Sequence, residues 1–118
     1  AATSSKVLVL WNVNTGSPVG YNAGLQLSRA GSPIGGGGAS GNRPTGQFHH
    51  LTPTAATELN SAGSFLDSPS STSALTYKMQ TNYEGGSSGV WINRSTGHSN
   101  VATYVMSSST ITLIEIGA

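Results

Sequence analysis

The sequence predicts an all-β fold, an antiparallel β-sandwich of short strands. Runs rich in Val, Ile, Thr, Tyr and Trp recur along the chain, and Gly and Ser clusters separate them roughly every eight to twelve residues. No stretch keeps the helical period of apolar residues. The length of 118 residues fits a single domain spanning 1–118.

Each strand is predicted from the alternation of side chains along it. The run Tyr21–Arg29 alternates most clearly, because Leu25 and Leu27 share one face while Gln26 and Ser28 share the other. The other predicted strands are Lys6–Val13, Gln47–Thr52, Gly63–Leu66, Leu75–Gln80, Gly89–Arg94, Val101–Met106 and Ser109–Ile116.

Three further segments are predicted to connect the strands. Ala30–Gly46 is rich in Gly, Ser and Pro, so we expect a flexible, exposed loop. Tyr83–Ser88 is typical of a glycine-rich hairpin loop between two paired strands. Ala55–Leu59 fits one helical turn.

The charge pattern argues against nucleic acid and membrane surfaces as partners. The chain has five Lys or Arg and four Asp or Glu, giving a formal net charge of +1. The cations are scattered, whereas neutralising several phosphates requires a cluster. The chain contains no cysteine, so an extracellular domain of this size needs another source of stability, and oligomerisation is the obvious one.

Two predicted strands, the first and the last, are apolar on both faces. A strand at the surface of a sandwich needs one apolar face, so a second one is normally covered by something besides the domain's own core. We therefore predict a self-association interface in these strands. Its predicted residues are Val7, Leu8, Leu10, Ile111, Leu113, Ile114 and Ile116. The alternative is that loops or the sheet twist cover these side chains within one subunit.

Patterns for catalysis or metal binding are weak. His49 and His50 are adjacent on a predicted strand, so they point to opposite faces and cannot share one metal without a bulge. Gly86–Gly89 is one residue short of a nucleophile elbow. Asp67 fits a turn residue that caps its own backbone. We predict no enzyme activity, cofactor or metal; a three-fold axis that gathers one His from each subunit is the alternative.

Aromatic and histidine side chains supply the candidate ligand contacts. Exposed aromatic rings can stack on sugars. Trp11 and Trp91 are predicted to lie in the core or an interface, whereas Tyr83 lies in a predicted loop. The candidate contacts to a ligand or host surface are therefore Tyr83, His49 and His98.

The C-terminal half resembles a known class of proteins. The segments Leu66-Asp67-Ser68-Pro69, Thr76-Tyr77-Lys78, Val90–Ser95 and Ser109–Ile116 follow one another in this order. They resemble fibre-type and other structural proteins of bacteriophages, particularly those that infect cyanobacteria and marine bacteria. Those proteins are similar to the jelly roll of tumour necrosis factor and of complement globular heads. The resemblance implies a jelly roll that trimerises about a three-fold axis, with its first and last strands near that axis.

Together, these observations predict a non-enzymatic structural module of a virion, an extracellular particle. The module would be the head of a trimeric tail fibre or a capsid decoration protein. Its expected partners are the other copies of a homotrimer, further virion proteins and a host-surface glycan. One alternative is a secreted carbohydrate-binding β-sandwich, which requires a row of exposed aromatic side chains. A small hydrolase is a third hypothesis, and it requires turnover that depends on Asp67 or a histidine.

Overall fold

The computed structural model describes residues 2–83 and 89–117. Across these residues the chain forms strands without any helix, in two antiparallel sheets that pack together. The strands are β1 (Lys6–Gly16), β2 (Asn22–Arg29), β3 (Ser32–Pro33), β4 (Phe48–Leu51), β5 (Leu59–Asp67), β6 (Tyr77–Tyr83), β7 (Trp91–Ile92) and β8 (Thr110–Ile116). The predicted all-β, sandwich-like fold is confirmed.

Each sheet is built around one central strand. In the first sheet β5 pairs along one edge of β1, and β8 and β7 pair along the other edge. In the second sheet β6 pairs along one edge of β2, and β4 and β3 pair along the other. The two central strands therefore fix the position of every other described strand.

The core lies between the two central strands. Val9, Trp11 and Val13 of β1 are buried in one cluster with Leu25 and Leu27 of β2. They are alternate residues of their strands, as the period of two requires. Partly buried residues complete the core at its margin: Val7, Ile34, Phe48, Phe65, Tyr77 and Met79. Fully burying one such side chain contributes about 1.5–3 kcal/mol, so this cluster is the main source of cohesion between the sheets.

The predicted hairpin around Tyr83–Ser88 is wrong. β6 pairs with β2 in the second sheet, whereas β7 pairs with β1 in the first. Residues 84–88 themselves lie outside the described residues. Alternation locates a strand, but the packing of the core decides which strands become neighbours.

Other predicted elements differ as well. Val101–Met106 contains no strand and lies outside both sheets. Gly89–Arg94 is reduced to β7, and Ala55–Leu59 contains no helical turn. The predicted loop Ala30–Gly46 is irregular except for the short strand β3 and an isolated β-bridge between Ser40 and Arg43. The composition of these segments is typical of strands or turns. They form no longer strands because they do not pair with β1 or β2 over more than two residues.

Trp11 depends on a glycine in the neighbouring strand. The register of β1 and β5 pairs Trp11 with Gly63, and a methyl group on Gly63 would overlap the indole ring. The indole Nε1 donates a hydrogen bond of 3.4 Å to Ser61 Oγ on the same strand. The ring therefore lies over β5 in space that a side chain at position 63 would otherwise fill.

We expect Gly63→Ala to destabilise the fold by about 1–3 kcal/mol, because overpacking displaces Trp11. Urea denaturation measures this loss. In a Trp91→Phe background, the fluorescence of Trp11 should also shift to longer wavelength. Gly37→Ala is the control, since a Cβ at Gly37 meets no atom within 4 Å. Equal stability of the two alanine variants would contradict the packing role of Gly63.

Asp67 joins the two sheets at one end of the sandwich. Asp67 is the last residue of β5, and it is buried. Arg29 Nη1 donates hydrogen bonds to both oxygens of its carboxylate, at 2.8 and 2.7 Å. The hydroxyl of Tyr77 donates to Oδ2 at 2.6 Å. Arg29 and Tyr77 are paired residues of β2 and β6, so the contacts cross between the sheets. The interpretation of Asp67 as a self-capping turn residue is therefore wrong.

Asp67→Asn is expected to lower the free energy of unfolding by about 2–3 kcal/mol, because hydrogen bonds to charged groups contribute about 1.5–3 kcal/mol. Urea denaturation at one fixed protein concentration measures the change. Combining Asp67→Asn with Arg29→Ala should reveal a coupling energy above about 1 kcal/mol. Glu58→Gln serves as control, since Glu58 accepts a hydrogen bond from Ser107 within the loops. Strictly additive effects of the two variants would rule out a stabilising ion pair.

Tyr77 makes the stability of the fold depend on pH in the alkaline range. Burial and the hydrogen bond to Asp67 raise the pKa of Tyr77 from 10.0 to about 12. The folded state thus favours the neutral phenol. The resulting contribution to the free energy of unfolding is complete below about pH 10 and is lost as the pH rises through about 12. The free energy of unfolding should therefore fall across this range, and fall less in Tyr77→Phe. Tyr104→Phe, which removes a phenol that packs on His98, should retain the wild-type slope. If the stability of Tyr77→Phe fell with pH as steeply as that of the wild type, Tyr77 would not be the source of the pH dependence.

Candidate assembly surface

The outer face of the first sheet carries an apolar patch. The register places Leu8 of β1 opposite Leu66 of β5 on one side and Ile114 of β8 on the other. Leu10 and Ile116 flank this row on the same face. Leu10, Leu66, Ile114 and Ile116 are 36–46% exposed. We refer to these five residues as the outer patch.

The outward direction of the patch follows from the core. Val9 and Trp11 are buried between the sheets, and neighbouring residues of a strand point to opposite faces. Leu8 and Leu10 must therefore point away from the second sheet. Paired residues of β5 and β8 share their direction.

β8 is exposed on both faces. Every one of its residues is exposed. Ile111 and Leu113 pair with Trp11 and Val9 and so lie on the inner side, yet they are 41% and 46% exposed. The second sheet therefore does not extend over β8, and this strand contributes little to the core of a single chain.

β8 also lacks the features that usually protect an edge strand. Among the described residues it pairs with β1 alone, so no described strand covers its other edge. Edge strands are normally protected by Pro, Lys, a bulge or short length. Thr110–Ile116 contains neither Pro nor Lys, its register with β1 is continuous, and its one charged residue is Glu115. Such a strand readily pairs with a partner.

The shape of the chain leaves a large surface for its mass. The accessible area is 6916 Å², compared with roughly 6,000 Å² for a monomeric protein of this size. The radius of gyration is 16.1 Å, compared with roughly 13.5 Å for a compact domain of this length.

The residues predicted for the interface fall into two groups. Leu8, Leu10, Ile114 and Ile116 lie on the outer patch. Ile111 and Leu113 lie on the inner side of β8, and Val7 packs against the core.

Leu66 was not predicted as part of the interface. In the sequence it is the last residue of a short predicted strand, and nothing there shows which strand lies beside it. Its pairing with Leu8 places it in the patch. The two residues are far apart in the sequence, so no local pattern indicates this pairing.

The candidate ligand contacts Tyr83, His49 and His98 are not brought together. The Tyr83 ring packs against Tyr21 with centroids 5.8 Å apart. The His98 ring packs against Tyr104 at 5.5 Å. His49 lies on the outer face of the second sheet, opposite Gly24.

His50 is partly buried beside an aromatic ring. Burial lowers its pKa, and neighbouring His49 lowers it further. Its ring lies 5.4 Å from that of Phe48, and neither ring nitrogen has a hydrogen-bond partner in the described structure. Within residues 2–83 and 89–117, no three His, Asp or Glu residues are grouped as metal ligands.

The tryptophans do not form a platform for sugars. Trp11 is buried in the core, and the guanidinium of Arg94 lies 5.9 Å above the ring of Trp91. Trp11 therefore cannot belong to the exposed aromatic row that the carbohydrate-binding alternative requires. The described part of the chain also contains no helix long and apolar enough to cross a membrane.

The fold and this surface define a β-sandwich with an open, apolar edge. Comparison of the chain with protein-family models, curated proteins and solved structures finds no match.

Proposed function

We propose that this chain is a non-enzymatic structural module that assembles into a homotrimer through the outer patch and β8. The observation that carries the proposal is β8, a strand exposed on both faces and along one edge. Proteins rarely leave a long apolar edge strand uncovered, because it promotes uncontrolled association. A defined partner surface satisfies its backbone groups and covers its side chains.

Stable association requires both the outer patch and β8. The outer patch side chains are already about half buried, so complete burial contributes roughly 1 kcal/mol for each. Association costs at least about 4 kcal/mol in lost translational and rotational freedom. The outer patch alone therefore gives weak association. Ile111 and Leu113, together with the open edge of β8, supply the additional contacts that a stable oligomer needs.

The trimeric state and the setting in a virion are proposed from the sequence resemblance. In the phage proteins that the chain resembles, a jelly roll places its first and last strands near a three-fold axis. The pairing of β1 with β8 supports that arrangement here. We therefore propose a jelly-roll head of a tail fibre or a capsid decoration protein, located in an extracellular particle and in contact with other virion proteins.

The solution mass of the purified chain tests the proposal. Light scattering should give three times the chain mass of 12.0 kDa. Ile114→Asp should reduce this mass to that of one chain, because a carboxylate buried without a partner costs several kcal/mol in every interface.

Val19→Asp provides the matched control for this substitution. Val19 is 50% exposed and lies in the turn between β1 and β2, away from the first sheet's outer face. Its acidic variant should keep the wild-type mass. A wild-type protein that stays monomeric at high concentration would refute self-assembly, and a dimer would refute the three-fold arrangement.

A further inference from the structure

A cleft lies on the opposite side of the sandwich from the outer patch. It is open to solvent, has a volume of about 740 Å³, and runs over the outer face of the second sheet. Gly24 of β2 forms its floor, between His49 of β4 and Asn82 of β6, which pair with Gly24 on either side. Residues 42–46 form one wall. The volume falls within the usual range for small-molecule sites.

Gly24 creates a trough in this face of the sheet. Its neighbours Ala23 and Leu25 are buried in the core side of β2, so position 24 points outward. A Cβ at this position would lie 3.3 Å from the carbonyl oxygen of Phe48 and 3.8 Å from Cβ of Asn82. Because glycine has no side chain, a ligand can approach the backbone between two side-chain-bearing strands.

The wall of the cleft is fixed to β2 by hydrogen bonds. Gln26 Nε2 donates to both the carbonyl oxygen and Oγ1 of Thr45, each at 2.7 Å. The backbone N–H of Gln47 donates to the carbonyl oxygen of Leu25 at 2.8 Å, and its side-chain Nε2 donates to that of Ile34 at 2.6 Å. The wall is therefore largely positioned before a ligand arrives, which reduces the entropy cost of binding.

The chemistry of the lining favours a polyhydroxylated anion. Asn42 and Asn82 line the cleft, and each amide carries both a donor and an acceptor, as neighbouring sugar hydroxyls require. Arg43 is exposed and has no carboxylate partner among the described residues. None of the lining residues that the structure describes is acidic. A guanidinium forms paired hydrogen bonds with a carboxylate.

We propose that this cleft binds an acidic saccharide. The carboxylate pairs with Arg43, the hydroxyls bond to the asparagine amides, and a sugar ring occupies the trough over Gly24. One arginine is too little positive charge for a nucleic acid, which requires several phosphate contacts. The site is independent of self-association, because it lies on the face opposite the outer patch and stays open whether the chain is a monomer or a trimer.

Titration of ¹⁵N-labelled protein, followed by NMR, tests the proposal. The acidic probes are trigalacturonate and sialyllactose, and the neutral probes are maltotriose and lactose. At least one acidic probe should shift the amide signals of residues 22–24 and 42–49 and bind at least about fivefold more tightly than its neutral counterpart, as expected for one charge-assisted pair. Failure of both acidic probes at millimolar concentration, or equal binding of the neutral ones, would overturn the proposal.

Two variants connect binding to this cleft. Arg43→Ala should weaken binding of the acidic probe at least about fivefold. Lys78→Ala is the matched control: Lys78 lies on the same outer face, opposite Ser28, and does not line the cleft. It should bind within about twofold of wild type. Equal losses in both variants would show a general charge effect and exclude the assigned site.

Gly24→Ser provides a test that does not depend on charge. Its side chain fills the trough, so we expect at least a tenfold loss of binding for the acidic probe, roughly 1.4 kcal/mol. Circular dichroism and light scattering on the same samples check that fold and mass are unchanged. Unchanged binding in a folded Gly24→Ser variant would place the saccharide elsewhere. Because mass is measured separately, failure of self-assembly and failure of the cleft give different results.

Discussion

The packing of β1 against β2 is the constraint on which the rest of the structure depends. Val9, Trp11 and Val13 must face Leu25 and Leu27 to form the core. Once these faces are buried, the period of two fixes the direction of every other side chain in both strands. The flanking strands then take their register from these two, because each of them pairs with β1 or β2.

The outer faces of the two sheets differ in polarity as a result. On β1 the outward positions are occupied by Leu8 and Leu10, so the first sheet presents an apolar surface. On β2 they include Gly24 and Gln26, so the second sheet presents a polar surface with a gap at the glycine. The same sandwich thus separates the apolar outer patch from the polar cleft by its full thickness.

The low charge of the chain gives its few ionic contacts distinct roles. Asp67 and Arg29 form a partly buried pair that connects the sheets, where a broken contact would leave a carboxylate poorly solvated. Arg43 is exposed at the cleft, where its charge remains available to a ligand. Glu115 is the one charged residue of β8, which leaves that strand mainly apolar.

The sequence by itself determined the all-β class and the location of most strands, since local alternation reports directly on burial. It also indicated that β1 and β8 are apolar on both faces. Only the tertiary structure decided which strands are neighbours, and so placed β6 and β7 in different sheets and Leu66 beside Leu8. It also brought Arg29, Asp67 and Tyr77 together. Pairings between distant segments follow from the packing of the whole core, which no local pattern contains.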